Sequence, residues 1–229
     1  MKDIKDVLVV VQARLNSERV PQKMIRPFND TSLFEIAIKK ILASKLIPKD
    51  NFYVSVYEPE LIAIAEKHNV NIYNRSEKSA NAESSLQEIY EWHDKLPFKY
   101  VIKVNGCSPL LKTETIDNFI ETYINQEEDG LFSVWEKKTY YWDKNGKLIT
   151  PWPEGLTIMN TKYVEPVYEA AHVLYASRMD TIKNNIWMGD FQKVGDIKLH
   201  IMDELECFDI DYEWQFNTAE LLYNGRRKF

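Results

Sequence analysis

The chain has 229 residues, a formal net charge of −6 and a hydrophobic content of 45%. At about 150 residues per domain, this length is most simply one domain, 1–229. The negative charge argues against a general nucleic-acid-binding surface, and the apolar run 7–11 is much shorter than the roughly 20 residues of a membrane span. Two cysteines without metal-ligand spacing, and no cleavage pattern for export, predict a cytoplasmic protein with free thiols.

Glycine is scarce: the chain has seven, and none precedes Gly106. Gly-rich phosphate loops need glycine because their backbone approaches a phosphate closely. The first 105 residues therefore contain neither G-x-G-x-x-G nor a P-loop, which argues against a dinucleotide-binding oxidoreductase. Any phosphate bound there must be held by side-chain cations, or by backbone amides that do not depend on glycine.

Strand and helix patterns alternate through the first two-thirds of the chain. The predicted strands, rich in β-branched and aromatic residues, are 6–14, 52–57, 70–74, 99–106 and 129–136. The predicted helices, with apolar residues at helical spacing, are 31–45, 59–68, 83–96 and 113–125. Thr113 is the expected N-cap of the last helix. This alternation predicts an α/β fold, Rossmann-like, with three α/β/α layers around a mainly parallel sheet.

In such folds, ligands bind beyond the carboxyl ends of the strands. The loops that follow the predicted strands should therefore meet at one edge of the sheet. These loops are 12–26, 57–59, 74–82 and 105–112.

The pattern changes after residue 136. A hairpin is predicted over 139–152, turning at Asn145-Gly146. We interpret 137–170 as an inserted arm or lid over the ligand edge, and contact of this arm with a second copy predicts a homodimer. The remaining predicted elements are two strands, 196–203 and 206–211, and a closing helix, 212–223.

Four cations follow the first predicted strand in an otherwise acidic chain: Arg14, Arg19, Lys23 and Arg26. They lie where ligands dock, and both lysine and arginine can neutralise a polyphosphate, arginine in bidentate fashion. Ser17 can add a hydroxyl, and the loop amides can add further donors. The alternative interpretation is a basic turn that is merely solvated.

Asp209 and Asp211 are separated by one residue in a predicted strand, which would place both carboxylates on the same side. Mg²⁺ prefers one or two carboxylates together with substrate phosphates. The pair is therefore a candidate site for Mg²⁺ or Mn²⁺. The alternative is that Asp211 caps the helix beginning at Tyr212 while Asp209 is solvated.

Two further segments place polar groups at strand ends. Arg75 precedes a serine-containing stretch, with Ser84 and Ser85 at a predicted helix start, where capping is the alternative role. Lys103 lies within an otherwise apolar strand and needs a partner, either a structural carboxylate or a bound anion. Asn105, at the end of that strand, could contact a base or a sugar.

Taken together and in this order, these segments resemble the CMP-N-acylneuraminate (sialic acid) synthetases. They are also similar to the 3-deoxy-manno-octulosonate cytidylyltransferases and to a group associated with spore-coat polysaccharide biosynthesis. The first motif of these enzymes has the form A-R-x-x-S-x-R-x-P-x-K, and Ala13–Lys23 contains every specified residue. Arg75–Ala80 loosely matches R-P-x-x-L-A, Ser108–Leu110 matches S-P-L, and Asp209–Asp211 matches the D-I-D that precedes the final helix.

The resemblance implies roles for individual residues. The nucleotide-binding set that it implies is Gln12, Ala13, Arg14, Leu15, Asn16, Ser17, Arg19, Lys23, Arg75, Ser84, Ser85 and Asn105. Arg14, Lys23 and Asp211 would be catalytic, and Asp209 and Asp211 would hold the divalent ion, Mg²⁺ or Mn²⁺. The sequence places no histidine as a general base, which favours activation of the attacking hydroxyl by the metal.

Two departures from the family pattern concern the metal and the acceptor. The octulosonate-type enzymes have an aspartate in G-D-E-P, whereas 106–109 reads G-C-S-P, so metal binding would rest on Asp209 and Asp211. The arginine-rich stretch that precedes P-V-Y in the sialate type contains no arginine here. The candidate acceptor-binding residues are Lys103, Lys162 and Tyr168, with either lysine holding an acceptor carboxylate.

The resemblance thus implies transfer of CMP from CTP to a hydroxyl of a sugar acid, such as a sialic-acid-like nonulosonate, with release of pyrophosphate for cell-surface glycan biosynthesis. The expected partners are CTP, the sugar acid and a second copy, without nucleic acid or membrane. One alternative is a metal-dependent glycosyltransferase that uses a nucleotide sugar, although its D-x-D usually follows a mid-chain strand. The other is a non-catalytic protein that binds a sugar nucleotide.

Overall fold

A seven-stranded sheet forms the centre of the computed structural model, which describes residues 1–226. Its strands are β1 (Val7–Gln12), β2 (Phe52–Val56), β3 (Asn71–Asn74), β4 (Tyr100–Val104), β5 (Gly130–Lys137), β6 (Val167–Arg178) and β7 (Ile197–Ile201). Their order across the sheet is β3-β2-β1-β4-β6-β5-β7. Among the described residues, β6 alone runs antiparallel to its neighbours. The expected mainly parallel α/β fold is therefore confirmed.

The helices cover the two faces of the sheet unequally. They are α1 (Leu33–Leu42), α2 (Pro59–Lys67), α3 (Glu77–Asn81), α4 (Leu86–Ile89), α5 (Thr113–Asn125) and α6 (Glu213–Arg226). Four of them, α1, α2, α5 and α6, pack on one face, whereas α4 and the 3₁₀ turns Glu91–Asp94 and Ile182–Asn184 pack on the other. No helix within residues 1–226 is long and apolar enough to cross a membrane.

The apolar run of β1 follows from burial on both faces. Val7, Val9 and Val11 belong to one core, and Leu8 and Val10 belong to the other. A strand that is covered on both faces by the rest of the fold has no solvated side, so polar residues do not alternate with apolar ones. This position also puts the end of β1 near the middle of the sheet edge, where the first loop begins.

The strand β6 has no counterpart among the predicted elements. The sequence patterns place 167–170 in the arm and predict nothing over 171–178, yet β6 lies inside the sheet between β4 and β5. The strand is hard to recognise because its alternation breaks at a bulge: Phe132 pairs with Tyr175, but Val134 pairs with Ala170. An irregularity of this kind shifts which residues face each side.

Three local predictions are wrong. Residues 206–211 form no strand, because a 3₁₀ turn, Glu204–Cys207, is followed by irregular chain. The single helix predicted over 83–96 is two short pieces, α4 and the turn Glu91–Asp94. Lys112, rather than Thr113, occupies the N-cap position of α5, and the Thr113 hydroxyl instead donates to the carbonyl of Lys40 (3.0 Å).

Residues 138–166 connect β5 to β6, whose ends pair through Lys137 and Val167. Near the predicted turn, Trp142 and Leu148 form an isolated antiparallel bridge, and Gly146 has a φ of +82°. Large exposed apolar side chains are concentrated here: Trp142, Ile149, Trp152, Ile158 and Met159. The role of this arm as a lid or a dimer contact stays a prediction.

Candidate active site

The loops that follow the strands meet at the carboxyl edge of the sheet and enclose a cavity of about 470 Å³, which we call the loop cavity. The predicted site residues on its wall are Gln12, Ala13, Arg14, Asn16, Ser17, Arg19, Lys23, Asn105, Asp209 and Asp211. Cations from the first loop therefore face carboxylates from the C-terminal segment across one space. These two groups are separated by most of the sequence, and the fold brings them together.

The first loop is fixed by backbone and core contacts. The backbone N–H of Leu15 donates to the Glu58 carboxylate (2.7 Å), which ties the loop to the end of β2. Val20 and Met24 are buried, so the middle of the loop is anchored in the core. The Leu15 amide is therefore already engaged by the protein, although it belongs to the predicted nucleotide-binding set.

Lys23 joins the loop to the aspartate segment. Its side chain is mostly buried, its ammonium donates to the carbonyl of Ile210 (2.5 Å), and it lies 3.8 Å from the Asp211 carboxylate. On the other side of the same peptide segment, the N–H of Ile210 donates to the carbonyl of Cys107 (3.1 Å). The segment is thus held between the first loop and the loop after β4.

The other cations of the loop have different partners. Arg19 contacts the Asp211 carboxylate at 2.7 Å, and Arg14 lies 3.8 Å from the carboxylate of Glu83. Arg26 instead makes two hydrogen bonds to the carboxylate of Glu213 (2.8 and 2.6 Å) and stacks on Phe216. Arg26 therefore anchors α6, whereas Arg14, Arg19 and Lys23 line the loop cavity.

Asp209 and Asp211 reach the same cavity although they do not lie on a strand. Asp209 is largely buried, and burial raises the pKa of its carboxyl above the ordinary value. The Asn105 amide nitrogen lies 3.4 Å from its Oδ1. The start of α6 is capped by Gln215, whose Oε1 accepts from the N–H groups of Asp211 and Tyr212, so the Asp211 carboxylate is not the cap.

The donor set fits a hard divalent cation bound jointly with a substrate. Within residues 1–226, no group of three or more His, Cys, Asp and Glu side chains is arranged to hold a metal ion. Asp209 and Asp211 line the loop cavity beside three cations, Arg14, Arg19 and Lys23, and Glu18 and Glu83 also lie on its wall. Mg²⁺ is commonly held by one or two carboxylates and completed by substrate phosphates and waters. Asp209 and Asp211 are the residues present for such an ion.

A second cavity adjoins the loop cavity and shares Gln12, Ala13, Arg14 and Glu83 with it; we call it the Arg75 cavity. Arg75 is 6% exposed and donates to the hydroxyl of Ser79 (3.1 Å) and to the Ser79 carbonyl. Burial lowers the pKa of Arg75.

Lys103 lines the Arg75 cavity from β4. Its ammonium lies 4.5 Å from the centre of the Tyr175 ring, and burial lowers the pKa of Lys103 to about 8. The partner of the Lys103 ammonium is thus an aromatic ring, which stabilises the charge more weakly than a carboxylate would. The charge remains available to an anion in the cavity.

The sequence profile of a family described as "Cytidylyltransferase" matches residues 8–202. The chain belongs to the cytidylyltransferase family. The match runs from β1 through β7 and includes the first loop.

Several curated proteins are similar to this chain. Post-translational flagellin modification protein B of Campylobacter coli is 23% identical, over 96% of this chain and 95% of that protein. Spore coat polysaccharide biosynthesis protein SpsF of Bacillus subtilis is 25% identical, over 55% of this chain and 53% of its own length. A 3-deoxy-manno-octulosonate cytidylyltransferase of Rickettsia bellii is 23% identical, over 55% of this chain and 50% of its own length. The chain thus spans about half the length of the last two.

Solved structures share the fold at low sequence identity. CMP:2-keto-3-deoxy-manno-octonic acid synthetase complexed with CTP superposes with a TM-score of 0.70 at 11% identity, covering 96% of this chain and 99% of that one. The 4-diphosphocytidyl-2C-methyl-D-erythritol synthase of Anaerococcus prevotii gives 0.69 at 14% identity, covering 95% and 96%. The expected nucleotidyltransferase fold is confirmed by these neighbours.

Some of the predicted site residues lie away from the two cavities. Ser85 caps α4 by accepting from the N–H of Glu88 (3.3 Å), and Ser84 beside it is exposed. Lys162 lies in the arm, near the ring of its neighbour Tyr163. Tyr168 lines an apolar hollow over β5, β6 and β7. Their predicted roles in nucleotide or acceptor binding are not supported by any contact with the cavities.

Sequence patterns missed residues that the fold adds to the site. Glu83 pairs with Arg14, and Glu58 holds the first loop. The available signals were that Glu58 follows a predicted strand and that Glu83 begins a predicted helix. His172 comes close to Asp209 through the unpredicted strand β6, since Asn105 bridges the His172 carbonyl (2.9 Å) and the Asp209 carboxylate. The contact runs through the backbone carbonyl of His172, so the expectation that no histidine serves as the general base stays a prediction.

Proposed function

We propose that this chain transfers the CMP moiety of CTP to a hydroxyl of a sugar acid and releases pyrophosphate. The observation that carries the proposal is the convergence of Arg14, Arg19 and Lys23 with Asp209 and Asp211 on the loop cavity. A triphosphate needs charge neutralisation, and a transferring phosphoryl group needs alignment more than covalent help. The family match and the flagellin-modification and spore-coat relatives support a role in surface glycan biosynthesis.

In the proposed reaction, the acceptor oxygen forms a bond to the α-phosphorus in line with the leaving group. The bond between the α-phosphorus and the bridging oxygen breaks, pyrophosphate departs, and the hydroxyl proton is lost to solvent. Arg14 and Lys23 would hold the phosphates and offset the charge that develops on pyrophosphate. The Arg75 cavity, with its buried guanidinium, would receive the ribose and the base.

Mg²⁺ or Mn²⁺ is the cofactor that we propose, with Asp209 and Asp211 as its protein ligands. A divalent ion there would supply Lewis-acid chemistry, which lowers the pKa of a bound hydroxyl and neutralises phosphate charge. Lys23 keeps the aspartate segment in register with the first loop through the carbonyl of Ile210.

A sugar acid is the acceptor class that the family resemblance and the octulosonate-named relative favour. Of the three candidate acceptor residues, Lys103 is the one that lines either of the two cavities, and its cavity is the one that would receive the ribose and the base. Lys162 and Tyr168 would need the arm, or a second copy, to approach the site. Trp142, Ile149 and the other exposed apolar residues of the arm support the proposed homodimer, which sedimentation velocity would test.

The two cysteines, Cys107 and Cys207, are free thiols. Free thiols persist in reducing compartments, which supports the proposed cytoplasmic location.

Pyrophosphate release from CTP and Mg²⁺ tests the proposed function, with 3-deoxy-manno-octulosonate, N-acetylneuraminate and neutral alditols as acceptors. Lys23→Ala and Asp211→Ala should each abolish release while circular dichroism stays native. Lys78→Ala is the matched control, because Lys78 pairs with Glu88 and lies outside both cavities. Wild-type turnover in both site variants would contradict the proposal.

The same assay separates the two alternatives. A glycosyltransferase would instead consume a nucleotide sugar and release a nucleoside diphosphate without pyrophosphate. CTP binding in a thermal-shift assay, with no pyrophosphate released from any acceptor, would favour a non-catalytic binding protein.

A further inference from the structure

His172 has a backbone conformation that histidine rarely adopts. It lies within β6, an otherwise extended strand, yet its φ is +55°. A non-glycine residue in the left-handed region is held there by its surroundings at a cost in free energy, and such residues cluster at functional sites. The contacts that hold His172 in this conformation are therefore a candidate functional feature.

A bulge in β6 produces this conformation. Phe132 pairs with Tyr175 and Val134 pairs with Ala170, so residues 171–174 lie opposite the single residue Ser133. The buried Ser133 hydroxyl accepts hydrogen bonds from the N–H groups of Val173 (3.3 Å) and Leu174 (2.8 Å). The Ser133 side chain thus stabilises the bulge, because it accepts from two N–H groups within it.

The other side of the bulge is fastened to the proposed reaction site. The Asn105 amide donates to the His172 carbonyl (2.9 Å) and lies 3.4 Å from Asp209 Oδ1. The N–H of Asn105 donates to the carbonyl of Val173 (2.8 Å). One asparagine therefore positions both the bulge and a carboxylate of the proposed metal pair.

His172 lines a crevice that none of the described first-loop residues lines. Asp209 and Asp211 line both the loop cavity and this crevice, whose remaining wall includes Trp135, Glu169, His172 and Gln215. Among the described residues, no lysine or arginine lines the crevice. The lining thus offers carboxylate, amide and imidazole groups, which suit neutral hydroxyls better than phosphates.

The His172 ring is exposed and held at one nitrogen. Its Nδ1 lies 3.3 Å from the Tyr175 hydroxyl, and its edge packs against the Phe132 ring at 5.7 Å between centres. Within residues 1–226, no hydrogen bond engages Nε2, and the residue as a whole is exposed. A hydrogen bond at Nδ1 fixes ring orientation and leaves the other nitrogen for a ligand.

We propose that His172 is a binding residue for the acceptor, and that the crevice between Asp209, Trp135 and Gln215 receives the hydroxyl-bearing part of that molecule. This inference rests on the proposed function. It places the two substrates on opposite sides of the aspartate pair: nucleotide phosphates face the cations of the first loop, and acceptor hydroxyls face the bulge. A bulge next to an active site can change the direction in which one side chain points. We assign that role here to the imidazole of His172.

The backbone conformation provides a test that separates binding from folding. Glycine adopts a φ near +55° without strain, so His172→Gly should fold at least as stably as the wild type while it lacks the imidazole. Asparagine tolerates the same region better than most residues, so His172→Asn keeps a hydrogen-bonding group there. Asn185→Gly is the matched control, because Asn185 has a φ of +59° in an exposed position outside both cavities and the crevice.

The measurement is pyrophosphate release with 3-deoxy-manno-octulosonate, N-acetylneuraminate and ribitol as the acceptor probes. For the probe that the wild type uses best, His172→Gly should raise the acceptor KM by about tenfold, the loss expected for one hydrogen bond to substrate. The KM for CTP should not rise above that of the control, and the melting temperature should not fall below that of the control. His172→Asn should restore part of the lost acceptor affinity.

An unchanged acceptor KM in His172→Gly would overturn this inference alone. A fall in melting temperature with both KM values raised equally would overturn it too, because it would show a structural role. Wild-type protein that binds CTP but releases no pyrophosphate with any probe would overturn the proposed function and this inference together.

Discussion

Arg19 Nη2 lies 2.7 Å from Oδ1 of Asp211, and Lys23 Nζ lies 3.8 Å from the same oxygen. Cations that we assign to the triphosphate thus neutralise a carboxylate that we assign to the metal. The proposed phosphate-binding cations and the proposed metal ligand are thus paired with each other. A nucleotide must therefore compete with Asp211 for the cations, and a divalent ion must compete with the cations for Asp211. Binding of either ligand releases a partner for the other, which predicts that the two bind cooperatively.

The first prediction follows from this competition. Asp211→Asn removes the charge that holds Arg19 and Lys23, so the variant should bind CTP about twofold or more tightly than the wild type in EDTA. The same change should weaken Mn²⁺ binding, because a metal ligand is lost. Isothermal titration calorimetry with CTP in EDTA, and separately with manganese chloride, measures both effects.

A control for this prediction is Glu213→Gln, which releases Arg26 from a comparable ion pair outside the loop cavity. It should change neither affinity. Equal CTP affinities for wild type and Asp211→Asn in EDTA would show that the ion pair does not compete with the nucleotide.

The second prediction concerns acid stability. Glu35 on α1 is mostly buried, with His68 Nε2 at 3.0 Å, Lys67 Nζ at 2.9 Å and the Thr31 hydroxyl at 3.1 Å. These hydrogen bonds, that of His68 first, lower the pKa of Glu35 to about 2. Because the folded-state pKa lies below the usual value near 4.5, the contribution of Glu35 to stability is present above that value and is lost as the pH falls toward 2.

Glu35→Gln should therefore lower the free energy of unfolding by about 1 kcal/mol at pH 7, the scale of a hydrogen bond to a charged group. The difference from the wild type should shrink as the pH falls from about 5 toward 2. Urea unfolding followed by tryptophan fluorescence at several pH values measures it. Glu121→Gln, an exposed substitution on α5, should give no such trend, and a difference that grows on acidification would contradict the assignment.

The third prediction concerns the bulge of β6. Ser133→Ala removes the hydroxyl that accepts from Val173 and Leu174, and it leaves two buried N–H groups unsatisfied. The expected loss of stability is about 1–3 kcal/mol. Thr122→Ala, which removes an exposed hydroxyl bonded within α5, should cost much less in the same urea titration. Equal midpoints for the two variants would mean that water or relaxed backbone replaces the serine.

Local sequence signals were sufficient for the first loop and for β1. A strand covered on both faces reads as a continuous apolar run, and the cations that follow it are contiguous in sequence, so both could be predicted. The same signals could not separate Arg26 from its neighbours. Its partner, Glu213, lies at the other end of the chain, and only the packing of α6 against the loop reveals the pairing.

The acceptor side of the site depends on β6, and for that reason sequence patterns missed it. The bulge breaks the alternation that identifies a strand. The conformation of His172 is imposed by Ser133, on β5, and by Asn105, directly after β4. The aspartate pair shows the opposite case. Its predicted strand was wrong, yet both carboxylates reach the loop cavity because Lys23, Cys107 and Gln215 hold the intervening backbone.

The fourth prediction returns to the scarce glycines. Gly130, at the start of β5, has no room for a side chain: a Cβ there would lie 1.6 Å from the carbonyl oxygen of Met188. Gly130→Ala must move one of two packed backbones, so we expect a loss of about 3 kcal/mol or more, as for severe overpacking. A Cβ at Gly225, in the last turn of α6, would meet none of the described atoms within 4 Å. Gly225→Ala should be neutral or stabilise by about 0.5 kcal/mol, because alanine favours helix.

Urea midpoints of the two variants, compared with the wild type, test the pair. A Gly130→Ala protein as stable as Gly225→Ala would show that β5 and the segment around Met188 are not packed as described.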